Sequence, residues 1–202
     1  EFHYNDAKAN LRDLLLDSDH ARASTIGIRK IFKRENKNSL YEFNWEWTQM
    51  EQTSSRLLRN AGSWYMHFMV RHGYTNRGEV MGSSIGPGSN SHYFNFSLLN
   101  SNIYDKIGIG LEIIDQDNDF LYYAFEDSKD FRRYWKDYNL HLNFNKKFKK
   151  LLAHLNIIYS RSINYQWELD SSTSGEGYDY YIPGNDINNF ILNLKVTYPL
   201  DF

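Results

Sequence analysis

The sequence contains no cysteine, which excludes disulfide bonds, thiolate metal sites and a cysteine nucleophile. It also lacks a surplus of charge of either sign, because 23 Lys and Arg residues face 25 Asp and Glu residues. This balance argues against nucleic acid as a partner, since a nucleic-acid surface needs a basic excess. Long apolar runs are missing as well. The longest, 120–125, is far shorter than the ~20 residues of a transmembrane helix.

Aromatic residues are abundant instead, at 17% of a chain whose mean hydropathy is -0.67. Their arrangement is clearest in 41–48 (YEFNWEWT), where every second residue is aromatic and the residues between are polar. A period of two is that of a β-strand with two different faces, and helical periodicity does not produce it. The same alternation recurs in 107–113, 138–145 and 155–167.

Segments of this kind predict about ten strands and one brief helix. The strands are expected near 1–6, 23–33, 38–51, 63–72, 91–99, 103–114, 119–126, 137–147, 151–168 and 186–202, and the helix at 11–16. The short connections are 34–37, 115–118 and 148–150, and the long ones are 7–22, 52–62, 127–136 and 169–185. Short turns at one end, long loops at the other and strands of ~9–11 residues are typical of a transmembrane β-barrel.

The sequence therefore predicts an all-β fold, an antiparallel up-and-down transmembrane β-barrel, with residues 1–202 forming a single domain. A soluble β-sandwich or jelly roll also has alternating strands. Its dry core could not bury the unpaired Glu, Lys, Arg, His and Asn residues that fill the second face here.

The final strand alternates to the end of the chain, in the segment FILNLKVTYPLDF at 190–202. In a barrel its apolar residues would face lipid. A terminal aromatic residue, Phe202, is similar to the assembly signal of bacterial outer-membrane barrels. The chain begins with Glu1 rather than Met and carries no signal peptide, so we expect a mature or truncated product.

Glycine interrupts the alternation in 64–90 (WYMHFMVRHGYTNRGEVMGSSIGPGSN), at a spacing that fits neither a dinucleotide-binding loop nor a P-loop. A different likeness rests on Tyr65, His67, Gly73, Tyr74, Arg77, Gly78 and Gly82, with the preceding strand EFNWEWTQME and the terminal Phe202. Together these residues resemble the motif of the Wzi family of capsule-assembly proteins.

The resemblance implies an outer-membrane β-barrel without enzymatic activity or cofactor that holds capsular polysaccharide at the cell surface. Its partners would be surface or capsular polysaccharide and outer-membrane lipid. Barrels of the family are longer and have more strands, so the chain is expected to be the C-terminal part of a larger barrel. The segment Gly86-Pro87-Gly88 departs from the family motif, which leaves the sugar preference open.

Sugar-binding sites combine aromatic faces with planar polar groups, and acidic sugars add Arg or Lys. One stretch concentrates these residue types and gives the candidates Trp64, Tyr65, His67, Tyr74, Asn76, Arg77 and Glu79. A basic and aromatic loop gives a second group, Lys129, Arg132, Arg133, Trp135 and Lys136. In an alternative interpretation Trp64 faces lipid and Arg77 pairs with Glu79. Counting strands back from a periplasmic C-terminus places 73–90 on the short-turn side, where we expect it to fold into the lumen.

Two sets of carboxylates invite chemical interpretations. Asp115, Asp117, Asp119 and Glu126 match positions of an EF-hand calcium loop, but Phe120 stands where the turn needs glycine. An acidic turn is the preferred interpretation, with a calcium ion as the alternative. Glu42 and Glu46 share a strand face, but four residues at ~3.3 Å separate them by ~13 Å, too far for a glycosidase pair.

No spacing of histidines typical of a metal site, and no serine in a hydrolase context, is present in the sequence. The sequence thus favours a non-enzymatic outer-membrane barrel that binds or organises capsular or surface polysaccharide. A porin-like channel and a soluble carbohydrate-binding β-domain are the alternatives.

Overall fold

The computed structural model describes residues 1–4, 10–33, 39–57, 59–66, 69–70, 73–77, 79–99, 105–128, 130–169 and 184–198. Its strands are β1 (Phe2–Tyr4), β2 (Arg22–Lys33), β3 (Leu40–Gln49), β4 (Thr75–Asn76), β5 (Glu79–Val80), β6 (Asn90–Leu99), β7 (Lys106–Asp115), β8 (Lys136–Phe148), β9 (Leu151–Ile163) and β10 (Ile187–Thr197). Its helices are α1 (Leu11–Leu16) and α2 (Asn118–Ala124). No helix in these ranges is long and apolar enough to cross a membrane.

Eight of the strands form one antiparallel sheet in the order β1-β2-β3-β6-β7-β8-β9-β10. Apart from the small β4–β5 hairpin, each strand pairs with the next one along the chain. The predicted all-β, antiparallel, up-and-down arrangement is confirmed. The predicted closure is not present, because β1 and β10 lie at opposite edges of an open sheet in the described part of the chain. β1 covers only Arg22–Ser24 of β2, whereas closure requires a partner along a whole strand edge.

The predicted helix at 11–16 is confirmed as α1, which begins after Asn10. The Asn10 side chain accepts a hydrogen bond from the Asp13 N–H at 3.0 Å, as a helix N-cap does.

Two other predictions were wrong. The segment 119–126 lies largely in α2, where the Asp117 carboxylate accepts from the Phe120 N–H at 3.0 Å. Its run of apolar residues has no alternation that would specify a strand, so the cap decides.

The second wrong prediction is the strand at 63–72, whose described residues, 63–66 and 69–70, form no strand. Tyr65 has φ 65° and Gly73 has φ 55°, and the Tyr74 N–H donates to the Tyr65 carbonyl at 2.8 Å. Left-handed residues of this kind turn the backbone, so this part of the chain does not cross the sheet.

The two ends of the sheet differ in the length of their connections, as predicted, but the predicted short connection 115–118 is wrong, because residues 116–118 belong to the long connection 116–135. The long connections 5–21, 50–89, 116–135 and 164–186 all leave one end, and the short connections 34–39, 100–105 and 149–150 leave the other. The segment 73–90 therefore lies at the long-connection end, which corrects its predicted place on the short-turn side. It belongs to the same connection as 52–62.

The register divides the sheet into two faces, because residues directly opposite in neighbouring strands point the same way. One face, the apolar face, carries across β2 to β10 the rows Phe32, Tyr41, Leu98, Ile107, Phe144, Leu155, Leu194; then Lys30, Phe43, Phe96, Ile109, Leu142, Ile157, Leu192; then Ile28, Trp45, Phe94, Leu111, Leu140, Tyr159, Phe190. The other, the polar face, carries the rows Lys33, Leu40, Leu99, Lys106, Asn145, His154, Lys195; then Ile31, Glu42, Ser97, Gly108, Asn143, Asn156, Asn193; then Arg29, Asn44, Asn95, Gly110, His141, Ile158, Ile191; then Gly27, Glu46, Tyr93, Glu112, Asn139, Ser160, Asn189.

Burial on these two faces is the reverse of that in a soluble domain. Leu142 and Leu194 on the apolar face are 45% and 67% exposed. Glu42 and Ser97 on the polar face are 1% and 0% exposed. In β6 and β7, at the middle of the sheet, the polar face is thus the buried one and the apolar face the exposed one, whereas most of β2 and β10 is exposed on both faces.

Candidate functional site

The polar face curls around a groove of about 550 Å³. Its polar lining residues are Arg29, Asn44, Glu46, Tyr93, Asn95, Lys106, Asn143, Asn145 and His154. A flat sheet would hold β2 and β9 about 24 Å apart, five strand spacings of ~4.8 Å, so their sharing one groove means that the sheet is concave on this side. The volume falls within the ~300–1,000 Å³ of small-molecule sites.

Glu42 anchors the groove from below through two cations. Lys106 Nζ donates to Glu42 Oε2 at 2.8 Å, and the Arg29 guanidinium contacts Glu42 Oε1. Lys106 belongs to β7 and Glu42 to β3, so their bond passes over β6. One carboxylate between two cations leaves a net positive charge at this level of the groove.

Asn95 lies in the groove wall and has a buried acceptor atom. The residue is 5% exposed, its Nδ2 donates to Ser97 Oγ at 2.9 Å, and its Oδ1 has no hydrogen-bond partner among the described residues. Gly108 makes this arrangement possible, because a Cβ there would overlap Ser97 Oγ and stand 3.3 Å from Asn95 Oδ1. A buried carbonyl oxygen without a partner costs ~1–3 kcal/mol, which a donor group on a ligand would offset.

Charges on the polar face separate along the strands. The row nearest the short connections carries Lys33, Lys106, His154 and Lys195. The row nearer the long connections carries Glu46 and Glu112. Along β7 the two rows are six residue steps apart, from Lys106 to Glu112, a distance of about 20 Å. Lys106 and Glu46 line the groove itself, so a bound molecule would meet a cation toward one end and a carboxylate toward the other.

The connection 50–89 packs against the polar face at its long-connection end. A small core forms there from Ala23, Met50, Ile85 and Ile114, with Trp64 and Tyr65 against it. The Ser83 N–H donates to the Tyr65 hydroxyl at 2.9 Å, and a Cβ on Gly82 would overlap the Tyr65 ring. The folding of 73–90 into a barrel lumen stays a prediction, because the sheet is open; the segment contributes Ile85 to the small core at the long-connection end.

A network of carboxylates and amides ties this connection to α2. Glu51 Oε2 accepts from Asn90 Nδ2 at 2.6 Å and from Asn118 Nδ2 at 3.0 Å. The Gln52 N–H donates to Asp119 Oδ1 at 3.0 Å. These bonds join connections that are 67 residues apart in sequence.

The electrostatics of this network are set mainly by burial. Burial raises the pKa of Asp119 to about 6, against the lowering effect of the Gln52 N–H. The negative charges of Asp117 and Glu51 raise it further, and Arg56, 3.9 Å away, lowers it. Burial also raises the pKa of Asp117.

The first group of predicted sugar-binding residues divides into two sets. Trp64 and Tyr65 pack against the small core, so Trp64 is not on the apolar face and neither ring is an open platform. The exposed set is on the β4–β5 hairpin and comprises Tyr74, Asn76, Arg77 and Glu79. His67 lies outside the described residues.

The second predicted group serves contacts between connections. Arg132 pairs with Asp130 at 2.7 Å and holds the pKa of Asp130 below its usual range, chiefly through this hydrogen bond. Arg133 donates to the Trp167 carbonyl at 3.1 Å, and the Trp135 ring packs edge-on against Trp167 at 5.1 Å. These contacts join 116–135 to 164–186. Lys136 pairs with Asp115 at 2.7 Å, and Lys129 lies outside the described residues.

The four carboxylates that match a calcium loop do not converge. Asp115 pairs with Lys136, Asp117 caps α2, Asp119 accepts from Gln52, and Glu126 is exposed. In the described part of the chain no group of three or more His, Cys, Asp or Glu side chains could hold a metal ion. The helix that replaces the expected strand carries the later residues away from the turn.

Sequence reasoning missed the groove. It placed Glu42 and Asn44 on the polar face of one strand but did not join them to Arg29 or Lys106. The groove residues could have been sought among the residues that alternate with the apolar ones in each strand. Every cation of the groove occupies such a position. Pairing those positions requires the register.

The chain matches no family model, and no curated protein or solved structure matches it.

Proposed function

We propose that the chain is part of an outer-membrane β-barrel of the Wzi type that binds or organises capsular or surface polysaccharide and performs no chemistry itself. The observation that carries the proposal is the apolar face, on which most of the aliphatic and aromatic side chains in the rows across β2 to β10 are exposed. A water-exposed apolar surface larger than a few hundred Å² is rare in monomeric soluble proteins. Outer-membrane barrels place alternating apolar residues toward lipid.

The polar face supports the second half of the proposal. Amides of Asn44, Asn95 and Asn143 line the groove beside the ring of Tyr93. Planar amides pair with sugar hydroxyls, and an aromatic ring stacks on the apolar side of a sugar. The exposed hairpin residues at the long-connection end, Tyr74 among them, offer the same chemistry outside the groove.

The direct test is fractionation of cells that express the full-length protein. We expect it in the outer membrane, with heat-modifiable mobility on a denaturing gel, and we expect a deletion strain to release its surface polysaccharide into the medium. A protein found dissolved in the periplasm or medium would contradict the lipid-facing assignment and favour a soluble carbohydrate-binding β-domain.

A porin-like channel is the second candidate, favoured by the separated charge rows of Lys106 and Glu112 along the groove. Single-channel recording in planar bilayers distinguishes the two roles. Ile85 and its neighbours pack across one end of the polar face and would narrow a pore there. We therefore expect a low conductance, which favours polysaccharide binding over a channel.

A further inference from the structure

We propose that the groove binds a carboxylate-bearing sugar, with the carboxylate at Lys106 and the hydroxyls at Asn95 and Asn143. This inference rests on the proposed function and adds the position and the charge of the ligand. It differs from the binding surfaces suggested by the sequence, which lie in the connections.

The charge of the groove favours an anion at one end. Glu42 neutralises only one of its two cations, Arg29 and Lys106. Lys33 and Lys195 stand in the same row as Lys106, so further positive charge flanks the site. Hydrogen bonds between an ammonium and a carboxylate are about twice as strong as neutral ones.

The remaining lining favours hydroxyl groups over a simple ion. Asn95 lines the groove and is nine-tenths buried, and its Oδ1, which neighbouring groups cover, has no hydrogen-bond partner among the described residues. The Asn143 amide lies one row from the Lys106 row and lines the same groove. Sulfate, an inorganic anion without O–H groups, offers no donor to Asn95, whereas a sugar hydroxyl does.

The groove is also built for these contacts. Gly108 allows the Asn95 and Ser97 side chains to lie across β7, since a Cβ at that position would overlap Ser97 Oγ. Gly110 is the next polar-face residue of β7. A Cβ on it would stand 3.3 Å from the Tyr93 ring. Gly108 and Gly110 lie on the same face of β7. Because they have no side chains, they leave space for Asn95 and Tyr93, which line the groove.

The test is isothermal titration of the full-length protein in detergent with two probes, a disaccharide that carries one uronate carboxylate and its neutral counterpart. We expect the uronate to bind about tenfold more tightly, the equivalent of one charge-assisted hydrogen bond. Lys106→Gln should remove that preference, and Asn95→Ala should weaken both probes alike.

Two further variants guard against a folding defect. The double variant Lys33→Gln, Lys195→Gln leaves Glu42 untouched and should reduce the preference about threefold through the weaker field alone. Lys30→Gln is the matched control. Lys30 belongs to β2, as Lys33 does, but lies on the apolar face beside Phe32. It should leave both affinities unchanged.

Equal affinity for the two probes, binding of neither, or inorganic sulfate competing as well as the uronate would overturn the inference. None of these results bears on the membrane location, which fractionation decides. Conversely, a soluble protein that still prefers the uronate would overturn the proposed function and leave the ligand assignment standing.

Discussion

Lys106 on β7 donates to the buried Glu42 on β3 at 2.8 Å, over the intervening strand β6. Glu42 is 1% exposed, so this bond, together with the contact from Arg29, keeps a charge inside the concave side of the sheet. A buried carboxylate requires such partners, because its desolvation is costly. The Lys106–Glu42 pair therefore both stabilises the sheet and holds β3 and β7 together across the groove.

Glu42→Gln should lower the free energy of unfolding by about 2 kcal/mol, since two partly exposed cations lose their common partner. Urea unfolding of the protein in detergent, followed by tryptophan fluorescence, measures the change. Glu79→Gln, on the exposed β4–β5 hairpin, is the matched control and should change stability by less than about 0.5 kcal/mol. An equal loss in both variants would contradict the role assigned to Glu42.

Tyr65→Phe should loosen the connection 50–89 without unfolding the sheet. The Ser83 N–H loses its acceptor, the Tyr65 hydroxyl, at a cost of about 1 kcal/mol. Hydrogen exchange at Ser83 should accelerate roughly fivefold, following that energy. Tyr74→Phe, at a side chain 60% exposed, serves as the control and should leave Ser83 protected.

The packing of α2 against 50–89 should weaken as the pH rises from about 4 to about 6. Burial raises the pKa of Asp119 to about 6 from its ordinary 3.8, so the folded state favours the protonated form. The stability is fully present below about 4, falls as the pH passes through 6 and is constant above it, with a total change of about 2–3 kcal/mol.

Limited proteolysis across this pH range, scored by cleavage within 50–89 and corrected for protease activity, measures the effect. Asp119→Asn should flatten the profile, because the amide does not titrate. Asp127→Asn, an exposed position in the connection that contains α2, should leave the profile unchanged. Cleavage that decreases as the pH rises would contradict the sign of the effect.

Leu142→Lys should impair membrane assembly far more than Asn143→Lys. The two residues are adjacent in β8 but lie on the apolar and the polar face. A lysine on the lipid side of a barrel costs ~2–4 kcal/mol near the middle of the membrane, whereas a lysine in the lumen meets water. The fraction of heat-modifiable protein in outer-membrane preparations is the measurement, and equal fractions for the two variants would oppose a lipid-facing apolar face.

Much of the sheet could be predicted because alternation is a local property. In β3, Trp45 and Glu46 point to opposite faces whatever the rest of the chain does. The run at 119–126 carries no such alternation, and the cap from Asp117 made it a helix. The wrongly predicted strands moved the segment 73–90 to the other end of the sheet, since each strand reverses the direction of the chain.

The groove could not be predicted, because its contacts are not local. Glu42 and Lys106 are 64 residues apart, and only the register of β3, β6 and β7 brings them together. A one-residue shift would send one of them to the opposite face. The residues proposed from motif spacing fared differently: Tyr65 became part of a core, and Phe202 lies outside the described residues.

The orientation of the apolar face toward lipid is the central claim, and the absence of cysteine makes it directly measurable. Single cysteines placed in turn at positions 139–144 of β8, spin-labelled in native outer membranes, report their collisions with dissolved oxygen and with a water-soluble nickel complex. If the apolar face meets lipid, the collision rates alternate with a period of two residues. Oxygen is then favoured at Leu140, Leu142 and Phe144, and nickel at Asn139, His141 and Asn143. Nickel favoured at all six positions would contradict it.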